Sequence, residues 1–112
     1  MTTKQADTPK EYRFIKVAKV SDIPPGTAVG IHTENMFVAL SNVDGQFYAI
    51  DDICSHLYCN LSDGWLREHK LICPCHDAAF DVRTGKNLDW RAAYPVKSFP
   101  VRIEGDDVLI GI

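Results

Sequence analysis

Cys54-Ser55-His56 and Cys73-Pro74-Cys75-His76 are the two places where this chain concentrates metal-ligand chemistry. Each puts a thiol and an imidazole into one tight stretch, so few residues must be ordered for each metal bond. Two thiolates with two imidazoles can serve two kinds of centre. One is a 2Fe–2S cluster in which His replaces Cys on one iron, which would make the chain a one-electron carrier. The other is a Cys2His2 zinc site, which would be structural. Cys-x-His is tighter than the usual zinc-finger spacing, and no helical period is present to offer two histidines on one face, so the residues favour the cluster. Buried Cys and His with no ligand role are a third reading, which needs all four to coincide by chance.

Ligand pairs of this kind need rigid loops. Pro74 stiffens the second, and the turn-forming residues 60–64 let the chain reverse between the two. Leu57, Leu61, Trp65, Leu66, Leu71 and Ile72 offer a small core beneath them. Strands are expected at residues 12–20, 28–31, 36–40, 47–50, 70–73, 79–82, 99–103 and 108–112. Asp44-Gly45 reads as a hairpin turn, Thr84-Gly85 as another, and residues 104–107 as a third. No stretch sustains a helical period. The expectation is an all-β fold: an antiparallel sandwich or barrel base made by both ends of the chain, with a cluster-binding subdomain inserted at about 51–90. Residues 1–10 read as a flexible leader and 11–112 as a single domain.

The 112 residues carry a net charge of −3 and a pI near 5.7 without a basic run, which argues against nucleic acid. The N-terminus is too polar for a signal peptide, and no apolar run approaches the ~20 residues of a membrane span. A cytoplasmic protein without a membrane anchor is expected. No Ser-His-Asp set, phosphate loop or nucleotide fingerprint is present, so the chain is not expected to be an enzyme on its own. His32 and His69 read as surface residues, Trp65 and Trp90 as packing residues. Asp51-Asp52 reads as support for the loop entering Cys54, and Asp106-Asp107 as part of a hairpin turn.

The paired motif Cys54-Ser55-His56-Leu57 and Cys73-Pro74-Cys75-His76 resembles that of the Rieske iron–sulfur family. The likeness runs on through Leu61-Ser62-Asp63-Gly64, residues 80–85 and residues 95–108, so it spans roughly residues 12–112. After His76 it is most similar to the ferredoxins of bacterial ring-hydroxylating dioxygenase systems. The resemblance implies that Cys54 and Cys73 hold a buried iron of a Rieske 2Fe–2S cluster, while His56 and His76 hold an outer iron near solvent. It implies an electron carrier between an NAD(P)H-dependent flavoprotein reductase and a terminal oxygenase, in aromatic hydrocarbon catabolism.

Two departures cut across this likeness. Cys59 and Cys75 stand where high-potential Rieske proteins carry a loop-bridging disulfide, a pair the dioxygenase ferredoxins generally lack; the resemblance makes Cys59–Cys75 a disulfide candidate, with two free thiols in a reducing cytoplasm as the alternative. Those high-potential proteins also carry Ser and Tyr hydroxyls where this chain has Ala78 and Phe80. Without these donors the expected potential lies low in the Rieske range. The alternatives are a small Rieske subunit of a nitrite reductase or of a quinol- or arsenite-oxidising complex, and a zinc-bound structural module. A terminal Rieske oxygenase would need a further mononuclear iron domain.

Overall fold

The structure is a computed structural model that describes residues 12–55, 59–75, 77–88 and 94–112. Ten strands follow in chain order: β1 (Phe14–Lys19), β2 (Thr27–Thr33), β3 (Met36–Val43), β4 (Gln46–Asp51), β5 (Trp65–Arg67), β6 (Lys70–Ile72), β7 (Ala79–Asp81), β8 (Ser98–Phe99), β9 (Val101–Glu104) and β10 (Asp107–Gly111). They form three antiparallel sheets with the orders β1-β10-β9, β2-β3-β4-β8 and β5-β6-β7. The helical content among the described residues is two single 3-10 turns, Val20–Asp22 and Leu61–Asp63. This is the all-β architecture the alternating pattern and the Gly/Pro turns imply.

Local chemistry explains where the strands stop. Asp22 accepts a hydrogen bond from the Lys19 backbone N–H at 2.9 Å and so winds residues 20–22 into a turn; the first strand therefore ends before Val20. Between β3 and β4 the chain reverses at Asp44 and Gly45, with φ of +50° and +93°. Both residues sit in the left-handed region that suits Asp and Gly and matches the twist of a tight hairpin.

The C-terminal stretch differs from the single strand 99–103 expected. It divides at Pro100. Ser98–Phe99 closes the edge of the sheet at β4, while Val101–Glu104 joins the other sheet beside β10. Proline has no N–H to give to a ladder, so the chain changes sheets there. β5 was not anticipated: Trp65–Arg67 is a short segment with a charge inside it, and only its pairing to β6 across Glu68 and His69 makes it a strand.

The buried side chains fall into two cores. One, in the base, joins Ile23, Val38, Leu40, Ala49, Phe99, Val108 and Ile110. The other joins Ala39, Val43, Ile50, Leu61, Leu71, Phe80, Val82 and Val96 with Cys54 and Cys73. β3 serves both. Successive side chains on a strand face opposite ways, so Val38 and Leu40 enter the first core while Ala39 and Val43 enter the second.

Candidate metal centre

The first thiol loop leaves β4 at Asp51 and returns at the 3-10 turn Leu61–Asp63. Three rungs close its neck. The Leu61 N–H donates to the Asp52 carbonyl at 2.6 Å, Ile53 bridges Asn60, and the Cys54 N–H donates to the Cys59 carbonyl at 2.8 Å. The Asp52 carboxylate adds two more bonds, accepting the Ser62 N–H at 2.6 Å and the Ser62 hydroxyl at 2.8 Å. Burial pushes the Asp52 carboxyl up in pKa, and the two Ser62 bonds draw it back.

The second loop joins β6 to β7. It is closed by the Cys73 N–H donating to the Ala78 carbonyl at 2.7 Å. Inside it the Cys75 N–H points at the Cys73 sulfur at 3.4 Å, and Asp77 takes a left-handed φ of +59°. The two loops meet where Gly64 lies against β6: a Cβ there would run into the Ile72 carbonyl oxygen.

Cys54 and Cys73 are both fully buried and stay outside the disulfide. The Cys73 thiol is pushed up to about 11, first by burial; the Cys75 N–H lowers it, and the neighbouring Cys54 and Asp77 add to the rise. Two thiols buried in one core cluster, one from each loop, are soft donors enclosed by apolar side chains. An apolar core disfavours a bare thiolate, and a bound iron supplies the positive charge that offsets this. The donor set thus fits an iron–sulfur centre.

The structure bonds Cys59 to Cys75, with Cα atoms 6.4 Å apart. The bond ties the first loop to the second. The Cys59, Cys73 and Cys75 sulfurs all lie within 4.8 Å of one another; the bond takes two of these three and leaves Cys73 outside it. His56, His76, Leu57 and Trp90 lie outside the described residues.

The remaining sequence candidates divide. His32 stacks on Phe37 at 4.3 Å and His69 meets Tyr48 edge-on at 5.7 Å, both apart from the thiols. Asp106 and Asp107 sit at the β9–β10 turn, where Asp107 pairs with Lys16 at 3.3 Å. Leu61 and Leu71 are fully buried beneath the loops and Leu66 packs against them. Trp65 corrects the expectation of a packing residue: it is 54% exposed. The two-residue alternation of β5 sends Leu66 into the core and so turns Trp65 outward, onto an open groove it shares with Ile72, Ala79 and Leu88. Ala78 and Phe80 are fully buried, and neither side chain can donate a hydrogen bond. Ser62 is the site residue that sequence reasoning passed over as turn chemistry; its spacing from Asp52 carries no recognisable signal.

A fold of three antiparallel sheets with two apposed thiol loops defines a class, and the comparisons agree. The chain belongs to the Rieske 2Fe-2S domain family, which matches it over residues 13–100. It is 41% identical over 99 residues to the 3-phenylpropionate/cinnamic acid dioxygenase ferredoxin subunit of Escherichia coli (strain K12), covering 88% of this chain and 92% of that one. Among solved structures it is similar to the Sphingomonas yanoikuyae B1 ferredoxin, with a TM-score of 0.84, 31% identity and coverage of 89% and 99%. It is also similar to a chain in the complex of reduced oxygenase and oxidized ferredoxin in carbazole 1,9a-dioxygenase, with a TM-score of 0.83, 31% identity and coverage of 90% and 94%. The protein is a Rieske-type electron carrier whose cofactor is a 2Fe–2S cluster. No helix among the described residues is long and apolar enough to cross a membrane.

Proposed function

We propose that this chain carries single electrons from an NAD(P)H-dependent flavoprotein reductase to a terminal ring-hydroxylating oxygenase in the cytoplasm, and that Cys54, His56, Cys73 and His76 hold its cluster. The observation that supports the ligand set is that Cys54 and Cys73, one from each loop that carries the motif, are fully buried in the same core cluster and stay outside the disulfide. The likeness to dioxygenase ferredoxin subunits across 88% of the chain supports the partners.

The bound cluster supplies reversible one-electron chemistry. The protein contributes the rest. Cys54 and Cys73 provide thiolates shielded from water by Leu61, Leu71, Phe80 and Val82. The Cys75 N–H offers the Cys73 sulfur a hydrogen bond. His56 and His76 are neutral ligands and so leave less negative charge than four thiolates would, which raises the potential above that of an all-Cys ferredoxin. Ala78 and Phe80 withhold the hydroxyls of high-potential relatives and so keep the potential in the lower part of the Rieske range. Residues 11–112 act as one domain, with the ligand-bearing part at about 51–90.

Purified protein should be red-brown and give, once reduced, a low-average-g EPR signal typical of mixed His/Cys ligation. His56→Ala or His76→Cys should abolish or alter that signal. A colourless, zinc-loaded protein would replace electron transfer with a structural zinc role, and an unaltered spectrum in either variant would remove the ligand assignment. A midpoint potential well above about +100 mV, within the Rieske span, would overturn the low-potential reading.

A further inference from the structure

Among the described residues, Asp52 is the one charged residue that is buried, at 2% exposure. Burying a carboxylate is costly unless its oxygens are well satisfied. Asp52 meets that cost with one residue: both carboxylate oxygens are engaged by Ser62, one by its N–H and one by its hydroxyl. Its backbone is held as well, the N–H by the Phe37 carbonyl at 2.9 Å and the carbonyl by the Leu61 N–H at 2.6 Å. Four bonds on a single residue at the mouth of the first thiol loop tie sheet, loop entry and loop exit together.

A third residue shapes this contact from another strand. Gly30 lies on β2, and a Cβ there would sit 2.7 Å from the Ser62 hydroxyl oxygen and 2.9 Å from an Asp52 carboxylate oxygen. Its backbone φ is not in the left-handed region, so any side chain is conformationally allowed at this position. What the site requires of Gly30 is space.

We propose that Asp52 is a positioning residue for the cluster: clamped to Ser62 in the space that Gly30 leaves open, it fixes the neck of the first ligand loop and so sets how firmly Cys54 holds iron. It acts through Cys54, two residues along the same loop. The inference rests on the reading of Cys54 as a ligand. It predicts that residues with no metal-binding chemistry control the lifetime of the cluster, and that they do so as one unit.

The test measures cluster loss from intact holo-protein, as decay of the visible absorbance in the presence of a ferrous-iron chelator. Supporting residues around metal ligands commonly change metal retention about ten- to a hundredfold. Asp52→Ala and Gly30→Ala should each accelerate loss within that range. Asp52→Asn keeps the shape of the side chain and one acceptor oxygen, and should fall between wild type and Asp52→Ala; it remains informative if Asp52→Ala fails to fold. Adding Ser62→Ala to Gly30→Ala removes one of the two oxygens that the new methyl would crowd, so the double variant should lose its cluster more slowly than the product of the two single effects would give.

Val108→Ala, which opens the base core away from the loops, separates positioning from general stability. If a Val108 variant with the same loss of thermal stability releases its cluster as fast as the Gly30 and Asp52 variants, the positioning role is wrong. Strictly multiplicative effects of Gly30→Ala and Ser62→Ala would also overturn it. Wild-type protein that takes up no iron would instead remove the underlying ligand assignment. Iron-loaded Asp52 and Gly30 variants with wild-type loss rates would remove the clamp alone.

Discussion

The Cys59–Cys75 bond should be worth a large share of the stability of the metal-free protein, and its size follows from the chain it closes. The two cysteines are 16 residues apart. In the chain-entropy account, a cross-link closing a loop near that length removes about 3 kcal/mol of freedom from the unfolded state. One kcal/mol moves the melting temperature of a domain this size by about 4–8 °C, so the bond accounts for roughly 12–24 °C. The double variant Cys59→Ser/Cys75→Ser isolates this contribution, because Ser fills nearly the same volume at two half-buried positions. Thermal unfolding of apo-protein should show the variant melting lower by that amount, and wild type treated with a thiol reductant should match it. Thiol titration in denaturant should find the two non-bonded cysteines before reduction and all four after it. A melting shift under about 4 °C, less than about 1 kcal/mol, or four titratable thiols without reductant, would refute the reasoning.

Three further outcomes are expected. Ala78→Ser or Phe80→Tyr should raise the midpoint potential by tens of millivolts, since a donor that favours the reduced centre by about 1.4 kcal/mol is worth about 59 mV for one electron; protein-film voltammetry showing both variants at the wild-type value would refute this. Gly85→Ala should cost about 2–4 kcal/mol by urea unfolding, because φ is +81° and a Cβ would also strike the Val96 carbonyl oxygen. Gly26→Ala, at φ +83° with open space around it, should cost about 1–2 kcal/mol; equal losses at the two sites would refute the steric part. Arg83 holds the Asp81 carboxyl below its ordinary range, first by a side-chain hydrogen bond. A depressed carboxyl stabilises the fold above its unfolded pKa and loses that contribution as pH falls through the folded value. Arg83→Gln should therefore be less stable than wild type at neutral pH, with the gap closing below about pH 3.9, the ordinary Asp value; a pH-independent gap in urea unfolding would refute it.

What could be read from the residues alone follows the range of the interactions. Asp44-Gly45 marked a hairpin because the backbone angles of that turn exclude most other residues, and the structure has the turn there. Cys54 and Cys73 stood out because thiols next to imidazoles are rare in a chain this short, and the structure buries both in one core. Three features were not legible because they depend on partners distant in the chain. The stretch 99–103 reads as one apolar strand; only the demand of two different sheets at Pro100 splits it. Trp65 reads as core because it is large and apolar, but the alternation of a strand only three residues long turns it outward. Ser62 is an ordinary turn residue until Asp52 is found buried against it. Residues 56–58, 76 and 89–93 lie outside the described part, so His56 and His76 rest on the motif.

The placement of the two thiols explains why so small a protein can support such a site. Cys54 and Cys73 are not held out on surface loops; they belong to the same buried cluster as Leu61, Leu71 and Phe80. Through β3 that cluster shares a wall with the base core: Ala39 faces one side, and Val38 and Leu40 face the other. A displacement of either sulfur would therefore have to open a packed interior, and close-packed interiors resist even single-methylene changes. Packing, the Asp52–Ser62 contact and one disulfide all bear on the two thiol loops. An electron carrier gains from that rigidity, because geometry that stays put between oxidation states leaves little reorganisation to accompany each transfer.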